Sequence, residues 1–161
     1  MISETTLSEH LKSFFENPAN AIQVGTRSQN NKPAWTRAVR CQVNDDRQSV
    51  ILFVYRQYCR DAIANIRANG DYAATFIDIA SYENYQIKGR GATILADLTP
   101  WLPLLEHFHS CDRYRIIDLI QLPHSTSDEI CGKDPEDYYA LHCPISDLYK
   151  QTPGPDAGCR I

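Results

Sequence analysis

The sequence predicts a mainly β, antiparallel fold with flanking helices, closed into a small barrel. Three observations carry that prediction. Most segments of regular hydrophobicity are short and have a period of two, with polar turns between them. Their order is helix, three strands, short helix, two strands, helix, strand, which favours pairing between sequence neighbours. The longest predicted strand carries Gly89 and Gly91, as expected where a sheet bends to close on itself.

Each element has its own signal. Leu7, Leu11, Phe14 and Phe15 stand at helical spacing between Thr6 and Glu16, with Thr6 or Ser8 as a cap. Pro18 ends that helix. Ile22 and Val24 alternate with polar or smaller residues from Ala21 to Thr26, the first strand. A polar turn, Ser28 to Asn31, leads to a second strand from Ala34 to Val43. Ser49 to Tyr55 is the most apolar run and reads as a buried strand. The period then changes. Ala62, Ile63 and Ile66 share a helical face between Asp61 and Asn69, and Gly70 stops the helix. Asn69-Gly70 could also turn a hairpin, but the residues before it lack a period of two.

Tyr72 to Ile79 and Tyr85 to Leu98 read as strands. Thr99-Pro100 begins a helix continued by Leu102, Leu105 and Phe108, with Pro103 disturbing its first turn. Residues from Gln121 to Glu136 read as loop, and Asp137 to Cys143 as a last strand. The C-terminal tail, 146–161, reads as irregular. Pro153, Gly154, Pro155 and Gly158 stiffen it, so it is expected to dock on the barrel as a structural plug or as the edge of a cleft. The 161 residues fit one domain, 1–161.

Composition excludes several classes. The net charge of -4 argues against bulk electrostatic binding of nucleic acid, although nine tyrosines near arginines could be read as a single-strand platform. No basic-then-apolar leader opens the chain, and no run approaches the roughly 18 apolar residues of a membrane span. The expectation is a cytoplasmic protein with reduced thiols, binding neither nucleic acid nor membrane. Its six cysteines include no CxxC pair, so no metal site is expected. His107 and Cys111, four apart on a predicted helix, read as ordinary helix positions rather than ligands.

Three polar clusters remain. Thr36, Arg37 and Arg40 place cations in a predicted barrel wall, with Arg37 on the face of Trp35 and Val39 and Arg40 opposite. A buried arginine needs an anion, and its planar fork suits phosphate; alternatively both arginines are surface residues or partners of Asp45 and Asp46. Arg56, Arg60 and Asn65 surround the start of the short helix, which favours an anion, or else the arginines are exposed and tolerated there. Asn84, Gln86 and Lys88 share one face of a strand. That row suits the polar edge of a flavin, or is a solvated surface.

The stretch from Pro18 to Ala92 resembles the pyridoxamine 5'-phosphate oxidase-like family. The residues that carry the resemblance are Ala21 to Thr26, Pro33 through Arg37, Phe53-Val54, Ala64 to Gly70 and Tyr85 to Gly91. The tail from Gln151 to Gly158 is similar to the ending of one branch of that family. The resemblance implies an FMN-binding split β-barrel that forms a homodimer with FMN between its barrels. It implies phosphate contacts from the second strand and the start of the short helix. It implies ring contacts from the backbone of the following strand and a polar residue of the long strand. Carried over by position, the cofactor-binding residues are Thr36, Arg37, Val39, Phe53, Val54, Tyr55, Arg60, Asn84, Gln86 and Lys88. The same resemblance brings Gln151 and Thr152 to the cleft edge.

The sequence departs from the family in one respect. Where oxidases carry a Ser-Arg-Lys-like signal, this chain has Cys59-Arg60-Asp61-Ala62. The missing lysine implies a different phosphate arrangement. Substrate residues of the true oxidases are not recognisable, and no catalytic acid or base stands out. The expected function is flavin-dependent oxidoreduction of a small molecule, with FMN as cofactor. The alternatives are a non-catalytic flavin- or ligand-binding module and a barrel that has lost its cofactor.

Overall fold

The computed structural model describes residues 5–132 and 134–161, without the side chains of Cys111, Arg113, Tyr114, Ile116 and Ile130. Helix α1 (Glu9–Phe15) starts at Ser8, whose hydroxyl accepts a hydrogen bond from the Leu11 N–H. Strands β1 (Asn20–Arg27), β2 (Pro33–Val43) and β3 (Ser49–Tyr55) follow, then α2 (Arg60–Asn69). Gly70 ends α2 at φ +68°, the left-handed conformation that glycine adopts without strain. Next come β4 (Tyr72–Asp78), β5 (Asn84–Gly89) and a two-residue β6 (Thr93–Ile94). A helical stretch comprises α3 (Leu102–His107), α4 (Arg113–Leu119) and α5 (Ser127–Cys131), before β7 (Tyr138–Pro144) and β8 (Asp147–Lys150).

The eight strands form one antiparallel sheet in the order β6-β7-β3-β2-β1-β4-β5-β8. Two short links make it curl. Residues 90–92 join β5 to β6, and Ile145-Ser146 join β7 to β8, although each pair stands six strands apart in the order. Six spacings in a flat sheet would measure about 29 Å, whereas links this short reach only about 10–14 Å. The ends must therefore meet. Across the meeting point the Ser146 N–H donates to the Lys88 carbonyl (2.9 Å) and the Tyr72 hydroxyl to the Pro144 carbonyl (2.9 Å). A Cβ on Gly89 would lie 2.0 Å from the Pro144 oxygen. No side chain fits there.

The barrel interior is filled by alternate residues of its strands, among them Val24, Leu52, Ala74 and Ile87. Helix α1 contributes Phe14 and Phe15, which pack on Tyr85 and Phe76 with centroids 5.0 and 4.3 Å apart. Glu16 ties this helix to β2: its carboxylate accepts from the Gln42 side chain (2.6 Å), the Val43 N–H (2.9 Å) and Lys12 (2.6 Å). A second apolar cluster lies outside the barrel, where Leu105, Phe108 and Cys131 cover Val39, Ile51, Phe53 and Tyr138.

Several sequence expectations need correction. The strand predicted over 85–98 ends at Gly89, because the chain there crosses to the other edge of the sheet. The helix predicted at Thr99 begins with a 3-10 turn that starts from Leu98 with no side-chain cap, and the Asp97 carboxylate accepts from the Thr99 N–H (2.8 Å). The α-helix starts at Leu102 with Pro103 in its first turn and widens to a π-helical turn at Phe108–Asp112. The loop predicted over 121–136 contains α5 and two 3-10 turns. The tail is irregular only from Gln151, since β8 pairs with β5 and Arg160 returns to bridge Tyr149. Gln151 and Thr152 both donate main-chain hydrogen bonds to the Asn84 carbonyl (2.8 and 2.9 Å), which docks the tail.

Two outcomes follow from this packing. Gly89→Ala forces a methyl into the Pro144 carbonyl and should destabilise the fold by roughly 2–3 kcal/mol, read as a lower urea midpoint. Burial pushes the Cys41 and Cys143 thiols and the Tyr72 hydroxyl well above their ordinary pKa values. The unfolded chain then releases these protons first, near pH 8.5 for the thiols and 10 for the phenol. Stability present at neutral pH should fall as pH rises through that range, and Cys41→Ala with Cys143→Ala should flatten the fall.

Candidate ligand-binding face

Register decides which polar residues meet. Arg37 of β2 lies opposite Gln23 of β1, Gln23 opposite Thr75 of β4, Thr75 opposite Gln86 of β5, and Gln86 opposite Tyr149 of β8. These five side chains form one row across the outer face of the barrel. Two residues along each strand, Trp35, Gly25, Ala73, Lys88 and Asp147 form a parallel row. Two of the three sequence clusters, built around Arg37 and around Gln86 with Lys88, therefore share a face. Sequence separation hid this.

The face is partly satisfied from within. The Gln86 amide donates to the Thr75 hydroxyl (2.9 Å), and the Lys88 ammonium stands 4.8 Å from the Tyr149 ring centre. Arg37 is half-buried and makes no ion pair among the described residues. A cation held in that way leaves its fork of donors open to an anion. Asn84 continues the polar face of β5, and its side-chain oxygen is buried without a hydrogen-bond partner among the described residues.

The other sequence-derived positions are distributed differently. Val39, Phe53 and Val54 are buried, Phe53 completely, with Trp101 against its ring at 6.3 Å. Their side chains face the packed clusters rather than the outer row, and β3 is flanked by β2 and β7. Thr36 is buried too, and its hydroxyl oxygen has no partner among the described residues. Tyr55 donates to Gln57 (2.8 Å); burial, with Asp137 adding, raises its hydroxyl pKa. Arg60 is exposed at the start of α2, the helix that packs on β1 and β2. Asn65 faces inward and donates to the Thr26 hydroxyl (3.0 Å), so it supports the fold. Arg56 stacks over the Tyr139 ring at 4.0 Å and donates to the Tyr138 carbonyl (3.0 Å).

Arg40 does not face opposite Arg37. Ala38 pairs with Val54 but Arg40 pairs with Phe53, so a bulge at Val39 shifts the alternation. Arg40 therefore lies on the outer side, where it donates to the Glu16 carbonyl. Burial lowers its pKa, and the Asp112 carboxylate opposes that shift. Asp112 is 3% exposed and also meets Arg115 (3.4 Å) and His107 (3.6 Å). The π-helical turn brings this carboxylate inward. The Cys111 side chain lies outside the described residues, and among those described no three His, Cys, Asp or Glu converge as metal ligands.

Sequence reasoning put Trp35 on the face of Arg37 but missed Gln23, Thr75 and Tyr149 as members of it. Gln23 and Trp35 fall within the family-like segments, but only the pairing register puts them in the same rows as Gln86 and Lys88.

No family model matches the chain, and no curated protein matches it. Solved structures do. An F420 reductase superposes with a TM-score of 0.56 at 17% identity, covering 90% of this chain and 100% of its own. A putative pyridoxamine 5'-phosphate oxidase from Lactobacillus delbrueckii gives 0.54 at 12%, covering 89% and 93%. The heme storage protein HutZ from Vibrio cholerae gives 0.50 at 14%, covering 91% and 95%. The chain has the split-barrel fold of pyridoxamine 5'-phosphate oxidase-like proteins. Among its described residues no helix is long and apolar enough to cross a membrane.

The buried Asp112 holds the helical cover together through His107 and Arg115, and its charge favours the Arg40 cation of the sheet. Asp112→Asn should cost roughly 1–3 kcal/mol by weakening charge-assisted contacts. The loss should appear as a change in Trp101 fluorescence at lower urea than unfolding of the barrel, followed by circular dichroism.

Proposed function

We propose that the protein is a cytoplasmic, FMN-binding split barrel that transfers electrons or hydride to or from a small molecule, acting as a homodimer. The observation that carries this reading is the outer row in which Arg37 and Gln86 are brought onto one face with Lys88 beside them. Arg37, with Arg60 at the start of α2, would hold the phosphate. Gln86 and Lys88 would meet the polar edge of the ring, which would lie along the row that runs through Gln23 and Thr75. Bound there, FMN would supply the redox chemistry, and the positive charge of Lys88 near the ring edge would favour the reduced form. A second barrel over this face would exclude water from the polar row.

The likeness to a heme storage protein supports a second reading, in which the fold holds heme. The groove on this face contains no His, Cys or Met among its lining residues, and its one tyrosine, Tyr72, donates its hydroxyl to Pro144. An axial ligand for iron is thus lacking there, which favours the flavin.

Titration of the purified protein with FMN, riboflavin and hemin tests the proposal. FMN should bind at micromolar protein and shift the flavin absorbance bands. Arg37→Ala and Arg60→Ala should each weaken FMN about ten- to a hundredfold and leave riboflavin unaffected. Equal losses for both flavins would mark the arginines as structural, and a Soret shift without flavin binding would favour heme. Reduction of bound FMN by a nicotinamide donor separates an enzyme from a non-catalytic flavin module.

A further inference from the structure

Beside the polar row the outer face deepens into a groove of about 700 Å³, a size typical of small-molecule sites. Gly25 and Ala73 form its floor. A Cβ on Gly25 would meet nothing closer than the Ala73 carbonyl at 3.8 Å. The strand thus does not need glycine at this position for packing, and the missing side chain leaves open space. Trp35 borders the groove with most of its indole exposed. A flat, exposed indole beside an open floor is suited to stacking.

The charges of the groove do not cancel. Its two carboxylates are already engaged, Asp71 by Arg27 at 2.5 Å and Asp147 by Arg160 at 2.8 Å. Lys88 and Arg90 also line the groove, are exposed, and make no ion pair among the described residues. Two cations therefore face the cavity without a carboxylate.

We propose that this groove is the subsite of a small planar aromatic anion, stacked on Trp35 with its charge met by Lys88 and Arg90. As the substrate class of the neighbouring flavin face, this ligand rests on the reading above; its binding does not. Calorimetric titration with 2-naphthoate, 2-naphthamide and cyclohexanecarboxylate tests it, first without FMN and then with FMN at saturation. Naphthoate should bind about tenfold more tightly than either of the other two, which lack the charge or the ring. Trp35→Ala, Arg90→Ala and Gly25→Val, which fills the floor, should each weaken naphthoate about fivefold or more while thermal unfolding stays unchanged. Equal affinity for all three probes, or unchanged binding in Trp35→Ala, would overturn the inference. So would displacement of naphthoate by FMN, since the groove would then be the flavin's own seat. Naphthoate binding in a protein that takes up no FMN would uphold the groove and remove the flavin reading instead.

Discussion

The approach of Gly89 to the Pro144 carbonyl is the contact on which the barrel depends. Two links of two and three residues cross from one end of the strand order to the other, and they can do so only if the sheet curls through a full turn. The tightest point of that closure has no room for a Cβ. Around it gather the Tyr72 hydroxyl, the Ser146 amide and the Lys88 carbonyl. The same closure sends β8 alongside β5 and so adds Tyr149 and Asp147 to the outer face. Fold closure and construction of the candidate site are thus one event.

Closure also divides the surface by function. On β3, β7 and the end of β2 from Val39, the outer face lies beneath α3, the π-helical turn and α5. On β1, β4, β5 and β8 it is polar, open and edged by Trp35. The bulge at Val39 marks the border, because it turns both Val39 and Arg40 outward into the covered half. Arg40 then donates to a main-chain carbonyl, within the field of the buried Asp112 carboxylate, and plays a structural part. Arg37, three residues earlier, stays on the open half.

Local patterns made much of this legible. The alternation of β1 and β2, the apolar run of β3 and the Gly70 stop of α2 each have a cause within a few residues, and each element forms where its pattern lies. The strand expected beyond Gly89 failed for a non-local reason: Pro144, fifty-five residues later, sets the path there. Thr99 looked like a cap, but the turn already starts at Leu98, and the Thr99 N–H is itself held by the Asp97 carboxylate. The expectation that Arg40 faces away from Arg37 assumed unbroken alternation, which a single extra residue reverses. Arg37, Gln86 and Lys88 could be picked out as polar residues in strands, whereas their assembly with Gln23, Thr75 and Tyr149 depends on pairing register, which no local pattern encodes.

Hydrogen exchange of the backbone amides, with and without FMN, tests the central claim that the open half of the barrel is the ligand face. The account predicts slower exchange with FMN in 23–27, 35–37, 73–75 and 86–90, the segments that form the two outer rows and the groove. The segment 99–137 should exchange as before. Protection confined to 99–137, with the outer rows unchanged, would contradict it.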